Sequence, residues 1–230
     1  MEPFDGASCG ERLFKTAAEL LRCARDGDGL AQALARLAAA AEAEADAEAV
    51  RGNTPATACR AGCPHCCMLN VTVLLPEAAA IAARLSVMLP AAERAALVAR
   101  LDHQRMRVRW MEDGERVRGQ IGCPFLDGEG SCSIHPFRPL MCRGVTSLDS
   151  GLCREALDPT ELDVPRSVPM DVVRKSVMAE AFCALARATE EAGMDTRGIE
   201  LAAGVGAFLA RPELCALLLA GERMPPGLWE

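Results

Sequence analysis

The chain has 230 residues, half of them apolar, and is therefore long enough to bury one full hydrophobic core. Its formal net charge of −7 argues against nucleic acid or an anionic membrane as the main partner, because both require clustered cations. The arginines between Arg94 and Arg118 are interspersed with acidic residues, which is typical of a solvated helix face. No apolar run approaches the roughly 18 residues of a membrane-spanning helix.

The N-terminal sequence, MEPFDGASCGERLFK, lacks the basic leading region, apolar run and cleavage site of a secretory signal. We therefore expect a cytoplasmic protein, in which thiols stay reduced and cysteines serve metal binding or catalysis rather than structural disulfides. Abundant alanine and a preference for arginine over lysine are typical of high-GC bacterial coding. The 12 cysteines of the chain require a chemical explanation.

The first part of the chain predicts two helices over residues 11–50. This stretch is rich in alanine, leucine and glutamate, and DGDG from Asp26 to Gly29 predicts the turn between the helices. After RGNTP the composition changes to a cysteine-dense loop, and VTVLL then predicts a short extended piece. PEAAAIAARL predicts a helix with proline at its first position.

The central and C-terminal parts are also predicted to be mainly helical. LPAAERAALVARLDHQRMRVRWMED, from Leu89, predicts a long amphipathic helix that ends near Gly114. DGEG, from Asp127, predicts the turn of a small β-hairpin, and one helical turn is expected to carry Cys142 and Arg143. Further helices are predicted over residues 171–193, 198–211 and 212–221.

These elements predict a mainly α fold, a single domain of residues 1–230. We expect a helical bundle that encloses a small cysteine-rich module of loops and a β-hairpin over residues 59–153. N-terminal helices (11–50) and C-terminal helices (171–221) flank this module. We find no internal repeat and no low-complexity linker.

Eight of the cysteines fall in two groups, the first of them in the stretch CRAGCPHCCMLN. The groups are Cys59, Cys63, Cys66 and Cys67, and then Cys123, Cys132, Cys142 and Cys153. Thiolates at short spacing suit a soft or borderline metal ion, because one loop can bend around it. The adjacent Cys66 and Cys67 point apart in most backbone conformations, so two metal ions, or two irons of one cluster, suit them better than one ion. Eight thiolates also divide into two sets of four, although other partitions fit.

A thiolate-ligated metal is negatively charged, so nearby cations or N–H donors are expected. Arg138 and Arg143 flank Cys142 and are candidates for this role, although both also fit ordinary surface residues. His65 and His135 lie beside cysteine-rich stretches, and we expect them to be hydrogen-bond donors to the ligands or exposed loop side chains.

The histidine and the cysteines outside these segments are not expected to bind the metal. His103 is expected at the surface of its arginine-rich helix. Cys183 and Cys215 lie in apolar helical stretches and are expected to pack as small buried hydrophobes. We expect Cys9 and Cys23 to have no part in the site.

The ordered motifs together resemble the YkgJ-type cysteine-cluster family. They are C-x3-C-x2-C-C from Cys59 to Cys67, CPFL at Cys123, CSI at Cys132 and RPLMCR around Cys142. The resemblance spans residues 59–153 and implies a zinc- or iron-chelating domain. His135 stands where that family often has an aromatic residue, so a role for the aromatic does not carry over. Flagellin lysine-N-methylase, which bears an iron–sulfur cluster, has a related cysteine pattern, and this raises an enzymatic possibility.

Two other families share parts of the motif. CPHC, from Cys63 to Cys66, is the active-site sequence of oxidising dithiol proteins, but those need a thioredoxin-like βαβ context that an alanine-rich helix does not provide. C-x3-C-x2-C has the spacing of radical S-adenosylmethionine enzymes, which place it in a partial βα barrel and have an aromatic at the position of His65. No alternating βα pattern follows here. We also find no phosphate loop, dinucleotide fingerprint or GxSxG elbow.

We therefore expect a protein that binds a metal centre through the two cysteine groups, in a structural, redox or metal-handling role. The centre is expected to be Zn²⁺ or an iron–sulfur cluster such as [4Fe–4S]. The adjacent cysteines favour the cluster, because they suit a body with several irons. An iron–sulfur-dependent enzyme, either a methyl-transfer component or of the radical S-adenosylmethionine type, is the alternative.

Overall fold

The computed structural model describes residues 4–160 and 166–228. These residues are mainly helical, as predicted, with ten α-helices and one sheet of two strands. In chain order they are α1 (Gly6–Cys23), α2 (Gly27–Gly52), β1 (Thr72–Leu74), α3 (Leu75–Met88), α4 (Ala91–Val108), α5 (Asp113–Arg118), α6 (Leu140–Gly144), α7 (Ser150–Ala156), α8 (Val172–Glu191), β2 (Gly198–Glu200), α9 (Leu201–Ala210) and α10 (Glu213–Leu219).

The long helices pack in two connected groups. Helices α1, α2 and α8 contact one another, α9 packs against both α3 and α4, and the contact of α2 with α3 joins the groups. Leu13, Leu37 and Leu185 are buried in the first group, and Leu75 and Leu101 are buried in the second. This continuous core supports the two cysteine-bearing segments, which are mostly irregular.

Local capping sets several helix boundaries. Helix α1 begins before the predicted residue 11, because the Asp5 side chain accepts a hydrogen bond from Ser8 N and caps the helix there. Helix α4 ends at Val108 and not near Gly114, as the sequence predicted. Glu112 starts the short helix α5 instead, since its backbone N–H donates to the Glu115 carboxylate at 2.8 Å.

The short extended piece predicted at VTVLL is confirmed as strand β1. Its partner is β2, with Val73 opposite Ile199 in an antiparallel pair. The helix predicted from Gly198 therefore starts late, at Leu201. The cause is a long-range contact, because the backbone N–H and C=O groups of residues 198–200 form hydrogen bonds with those of β1. The Glu200 side chain then caps α9 by accepting a hydrogen bond from Ala203 N.

The predicted β-hairpin is reduced to a turn with one isolated bridge, between Leu126 and Cys132. The turn itself forms at DGEG, where the Asp127 side chain accepts hydrogen bonds from Glu129 N and Ser131 N. Pro124 and Pro136 stand on either side and have no N–H to donate, which disfavours longer strands. The helical turn predicted at Cys142 and Arg143 is confirmed as α6.

Within the described residues, no helix on its own has both the length and the apolar composition to cross a bilayer. Helices α9 and α10 meet those criteria only as a pair, and the two are bent by 108°.

Candidate metal centre

The first cysteine group lies in the irregular segment between α2 and β1. His65–Met68 forms one short 3-10 turn, which carries Cys66 and Cys67. Both ends of the segment are tied down: Ala58 N donates to Ser147 O at 2.8 Å, and Asn70 N donates to the Asp113 carboxylate at 2.6 Å. The loop is therefore held by the same part of the chain that carries the second group.

Two glycines let the first and second segments approach each other. Gly62 and Gly130 both have positive φ, +79° and +78°, which other residues rarely adopt. A Cβ atom at Gly130 would lie 3.3 Å from the carbonyl oxygen of Gly62. The 127–131 turn can pack against the first cysteine loop because it has no side chain at this point.

The second cysteine group is docked onto the first through the backbone. Cys123 N donates to Cys67 O at 2.8 Å, and Cys132 follows through its bridge to Leu126. Cys142 lies on α6, which packs closely on α8: a Cβ atom at Gly144 would lie only 3.0 Å from Met178 Cβ.

Five of the eight predicted thiols line one cavity of about 420 Å³. They are Cys66, Cys67, Cys123, Cys132 and Cys142. A second cavity, of about 520 Å³, adjoins the first loop, and both Cys59 and Cys63 line it. Cys153 lines neither cavity. The backbone N–H of Ser147 donates to Cys59 Sγ at 3.3 Å. All eight cysteines are free thiols.

Burial, together with the charges of neighbouring thiols, raises the pKa of Cys123, Cys132, Cys142 and Cys153 and favours their neutral form. Burial raises the pKa of Cys123 to about 11 and raises the pKa of Cys142 further, with the charges of Cys123, Cys132 and Cys66 adding to the second shift. Cys66 is the exception. The S–H of Cys67 donates to its sulfur, which lowers the pKa of Cys66 to about 7 and raises that of Cys67.

The two arginines predicted to offset thiolate charge have different roles. Arg143 is buried and has a structural role, since its guanidinium donates hydrogen bonds to the Glu42 carboxylate at 2.7 Å and to Pro136 O at 3.0 Å. Arg138 lines both cavities, and its positive charge lowers the pKa of Cys66. Its Nε is buried with no hydrogen-bond partner among the described residues.

The thiols are neighbours but do not form a preassembled site. Among residues 4–160 and 166–228, no three His, Cys, Asp or Glu side chains stand together in an arrangement that could hold a metal ion. Binding of a metal ion therefore requires the cysteine side chains to rotate towards it.

Comparison with known families bears directly on this segment. Residues 58–161, which include all eight cysteines, match the family model CxxCxxCC, described as "Putative zinc- or iron-chelating domain". The match supports the prediction of a cysteine-cluster family for this segment. The first spacer of the CxxCxxCC segment, Arg60 to Gly62, is one residue longer than the family's name indicates. Searches of curated proteins and of solved structures found no match.

The CxxCxxCC segment does not supply the whole cavity wall. Cys183, on α8, is exposed and lines the 420 Å³ cavity, so the prediction that it packs as a small buried hydrophobe is wrong. The sequence AEAFCALARA contains no signal for this, because only the packing of α8 decides which helix face meets the cavity. Arg116 and Glu200 also line the cavity from outside the predicted set.

The other predicted bystanders are placed as follows. Cys9 is fully buried, Cys23 is exposed and Cys215 is half-buried. All three are free thiols, and none of them lines either cavity. His103 is exposed, as predicted. His135 is exposed and lines the larger cavity, and the positive charge of Arg138 lowers its pKa.

Proposed function

We propose that the chain binds zinc or an iron–sulfur cluster through the eight cysteines of the two groups. The observation that carries the proposal is that thiols from two loops, separated by more than fifty residues in sequence, line the same cavities. The family match over residues 58–161 supports metal binding in general. Thiolate sulfurs select zinc, copper(I) or iron–sulfur clusters over hard cations such as magnesium and calcium.

The surroundings of the thiols fit such a centre. A set of four thiolates around Zn²⁺ has a net charge of −2, and burying that charge requires a cation or donors nearby. Arg138 supplies both the positive charge and a hydrogen-bond donor. Its guanidinium lines both thiol-bearing cavities, and the N–H of its buried Nε has no acceptor among the described residues. The low pKa of Cys66 supplies one thiolate near neutral pH. The metal would hold together two loops that have little regular structure of their own.

Metal analysis of anaerobically purified protein tests this proposal. We expect stoichiometric metal, with iron plus sulfide and visible absorption for a cluster, or colourless zinc for a zinc site. Cys142→Ser removes a half-buried thiol that lines both cavities and should lose metal and stability together. Cys23→Ser, an exposed cysteine at the end of α1, is the matched control and should retain both. Wild-type protein without metal, or full metal content in Cys142→Ser, would overturn the proposal.

The 420 Å³ cavity favours an iron–sulfur-dependent enzyme as a second candidate. Its volume lies within the range of about 300–1,000 Å³ that small-molecule sites occupy. Thiols line part of this cavity, and Ile134, Phe182 and Leu201 contribute apolar surface to its lining. Of the two enzyme types predicted, a methyl-transfer component fits better, because the described residues contain one two-stranded sheet and not the partial βα barrel of the radical type.

Calorimetric titration of the metal-loaded protein with S-adenosylmethionine tests this second candidate. We expect saturable binding that Phe182→Trp weakens at least about tenfold, because the larger ring would fill the cavity that the half-buried Phe182 lines. The metal content of the variant serves as its control and should be unchanged. Absence of binding to the wild-type protein would remove the enzyme candidate and leave metal binding intact.

A further inference from the structure

Three buried side-chain atoms in the described part of the chain have no hydrogen-bond partner, and all three belong to residues that line the two cavities. They are the Nε atoms of Arg116 and Arg138 and the hydroxyl oxygen of Thr146. Arg116 lines the 420 Å³ cavity, Arg138 lines both cavities, and Thr146 lines the 520 Å³ cavity. Because buried polar groups in folded proteins are nearly always hydrogen-bonded, we expect the missing partners to be bound inside the cavities.

The 420 Å³ cavity has two guanidinium groups with donors to spare. Arg116 is 1% exposed and donates through Nη1 to the Asn70 side-chain oxygen at 3.0 Å, which leaves its Nε–H unused. The guanidinium of Arg138 makes no hydrogen bond and no ion pair within the described residues. Both groups are cations, so they bind a negatively charged acceptor more strongly than a neutral one.

The two carboxylates of the same lining do not supply that acceptor. One Glu200 oxygen accepts from Ala203 N at 3.0 Å, and the other lies 3.8 Å from Arg116 Nη1. Asp113 is exposed and accepts from Asn70 N at 2.6 Å. Neither carboxylate accepts from an arginine Nε, so the acceptor has to come from outside the described chain.

Apolar side chains contribute much of the remaining lining. They include the buried Ile134, the half-buried Phe182 and Val145. Water could satisfy the arginine donors, but it gains nothing from contact with this apolar surface. A ligand that matches the whole cavity therefore combines an acceptor group with an apolar body.

We propose that the 420 Å³ cavity binds a small organic carboxylate, with the carboxylate accepting from Arg116 and Arg138 and the apolar body lying against Phe182 and Ile134. This inference goes beyond the proposed function, because it requires neither a bound metal nor S-adenosylmethionine. It is compatible with a role of Arg138 beside thiolates, since a guanidinium has five N–H donors and can serve two acceptors at once.

Calorimetric titration of the full chain with octanoate and octanamide tests the charge of the ligand. The two probes have the same apolar chain and differ only in the head group. We expect saturable binding of octanoate and at least about tenfold weaker binding of octanamide, because only the carboxylate forms charge-assisted hydrogen bonds with both guanidiniums. A smaller ratio, or no saturable binding of octanoate, would overturn the proposal.

Arg138→Gln tests the role of the half-buried arginine without changing the fully buried one. The variant should bind octanoate at least about tenfold more weakly than the wild type, because one of the two cations is lost. Its affinity for octanamide should be unchanged, and this serves as the control for an intact cavity. An equal loss for both probes, or no loss for octanoate, would contradict recognition of a carboxylate by Arg138.

Ala179→Trp tests the location of the site. Ala179 is exposed on α8 and lines the 420 Å³ cavity, so the indole ring should fill part of the cavity and weaken octanoate binding at least about tenfold. Ser176→Trp is the matched control, because Ser176 is exposed on the same helix and lines neither cavity. Wild-type affinity in Ala179→Trp would place octanoate elsewhere and reject the cavity.

Alkylation of Cys183 in the wild-type protein locates the ligand without any variant. Cys183 and Cys23 are both exposed thiols, but only Cys183 lines the 420 Å³ cavity. Saturating octanoate should slow the reaction of iodoacetamide with Cys183 and leave the rate at Cys23 unchanged, as measured by peptide mass spectrometry. An unchanged rate at Cys183 would overturn the proposal.

Metal analysis of the same samples separates this inference from the proposed function. Metal-loaded protein that does not bind octanoate would reject the carboxylate site and leave metal binding intact. Protein that contains no metal but binds octanoate with the expected preference would support the carboxylate site and reject the proposed function.

Discussion

Replacing Arg116 with methionine is expected to lower the free energy of unfolding by about 3 kcal/mol, because removal of one partner leaves the other partner of a buried ion pair uncompensated. Arg116 is 1% exposed. Its guanidinium donates to the Asn70 side-chain oxygen at 3.0 Å and lies 3.8 Å from the Glu200 carboxylate. Methionine is close in volume, so the loss would come mainly from the charge and the hydrogen bonds and not from a cavity.

Urea unfolding measures this loss, with Arg100→Met as the matched control. Arg100 is exposed on α4, and its replacement should change stability by less than about 0.5 kcal/mol. Arg116→Met combined with Glu200→Gln should recover part of the loss, since the second change removes the unpaired carboxylate. Equal stability of the Arg116→Met and Arg100→Met proteins would show that the ion pair with Glu200 contributes nothing.

Replacing Glu77 with alanine is expected to cost a comparable amount, about 3 kcal/mol, because it leaves two buried N–H groups without an acceptor. Glu77 is 3% exposed on α3. One carboxyl oxygen accepts from Leu140 N at 2.9 Å and the other from Leu74 N at 3.1 Å. The side chain thus ties the start of α6, which carries Cys142, to the core helix. Glu77→Gln retains one acceptor oxygen and should fall between wild type and alanine.

The Glu77 carboxyl also makes stability depend on pH. Burial raises its pKa from 4.5 to about 7 in the folded state. Between these two values the folded chain keeps a proton that the unfolded chain has lost, so the stabilising contribution is full below pH 4.5 and is lost as the pH rises through 7. The stability of wild type relative to Glu77→Gln should fall over this window in urea titrations. A difference that does not change with pH would contradict the raised pKa, and metal effects common to both proteins cancel.

Much of the fold follows from local features of the sequence. Asp26 and Asp171 each accept a hydrogen bond from a backbone N–H in the first turn of the following helix, and Pro76 falls within the first turn of α3. These signals act over three or four residues, so they can be found without knowing the rest of the structure. The 127–131 turn is also set by local contacts, because the Asp127 side chain accepts hydrogen bonds from Glu129 N and Ser131 N within the turn.

The candidate site follows partly from sequence motifs and partly from tertiary packing. The cysteine spacing and the RPLMCR motif can be found in the sequence alone, and the family match over residues 58–161 supports the cysteine-cluster family that they predicted. The sequence also placed two arginines beside Cys142 but did not distinguish them. Only packing does so: Glu42, on α2, engages Arg143 and leaves Arg138 among the thiols.

By itself, the sequence determined that the fold is mainly helical, which cysteines are clustered and that the central segment resembles a cysteine-cluster family, because each depends on residues close together in the chain. Tertiary structure alone decided that residues 198–200 pair with β1, that Cys183 reaches the cavity and that the Ser147 N–H contacts the Cys59 sulfur. Each of these contacts joins residues tens of positions apart. Their formation depends on how the intervening helices pack, and that information is spread over the whole core.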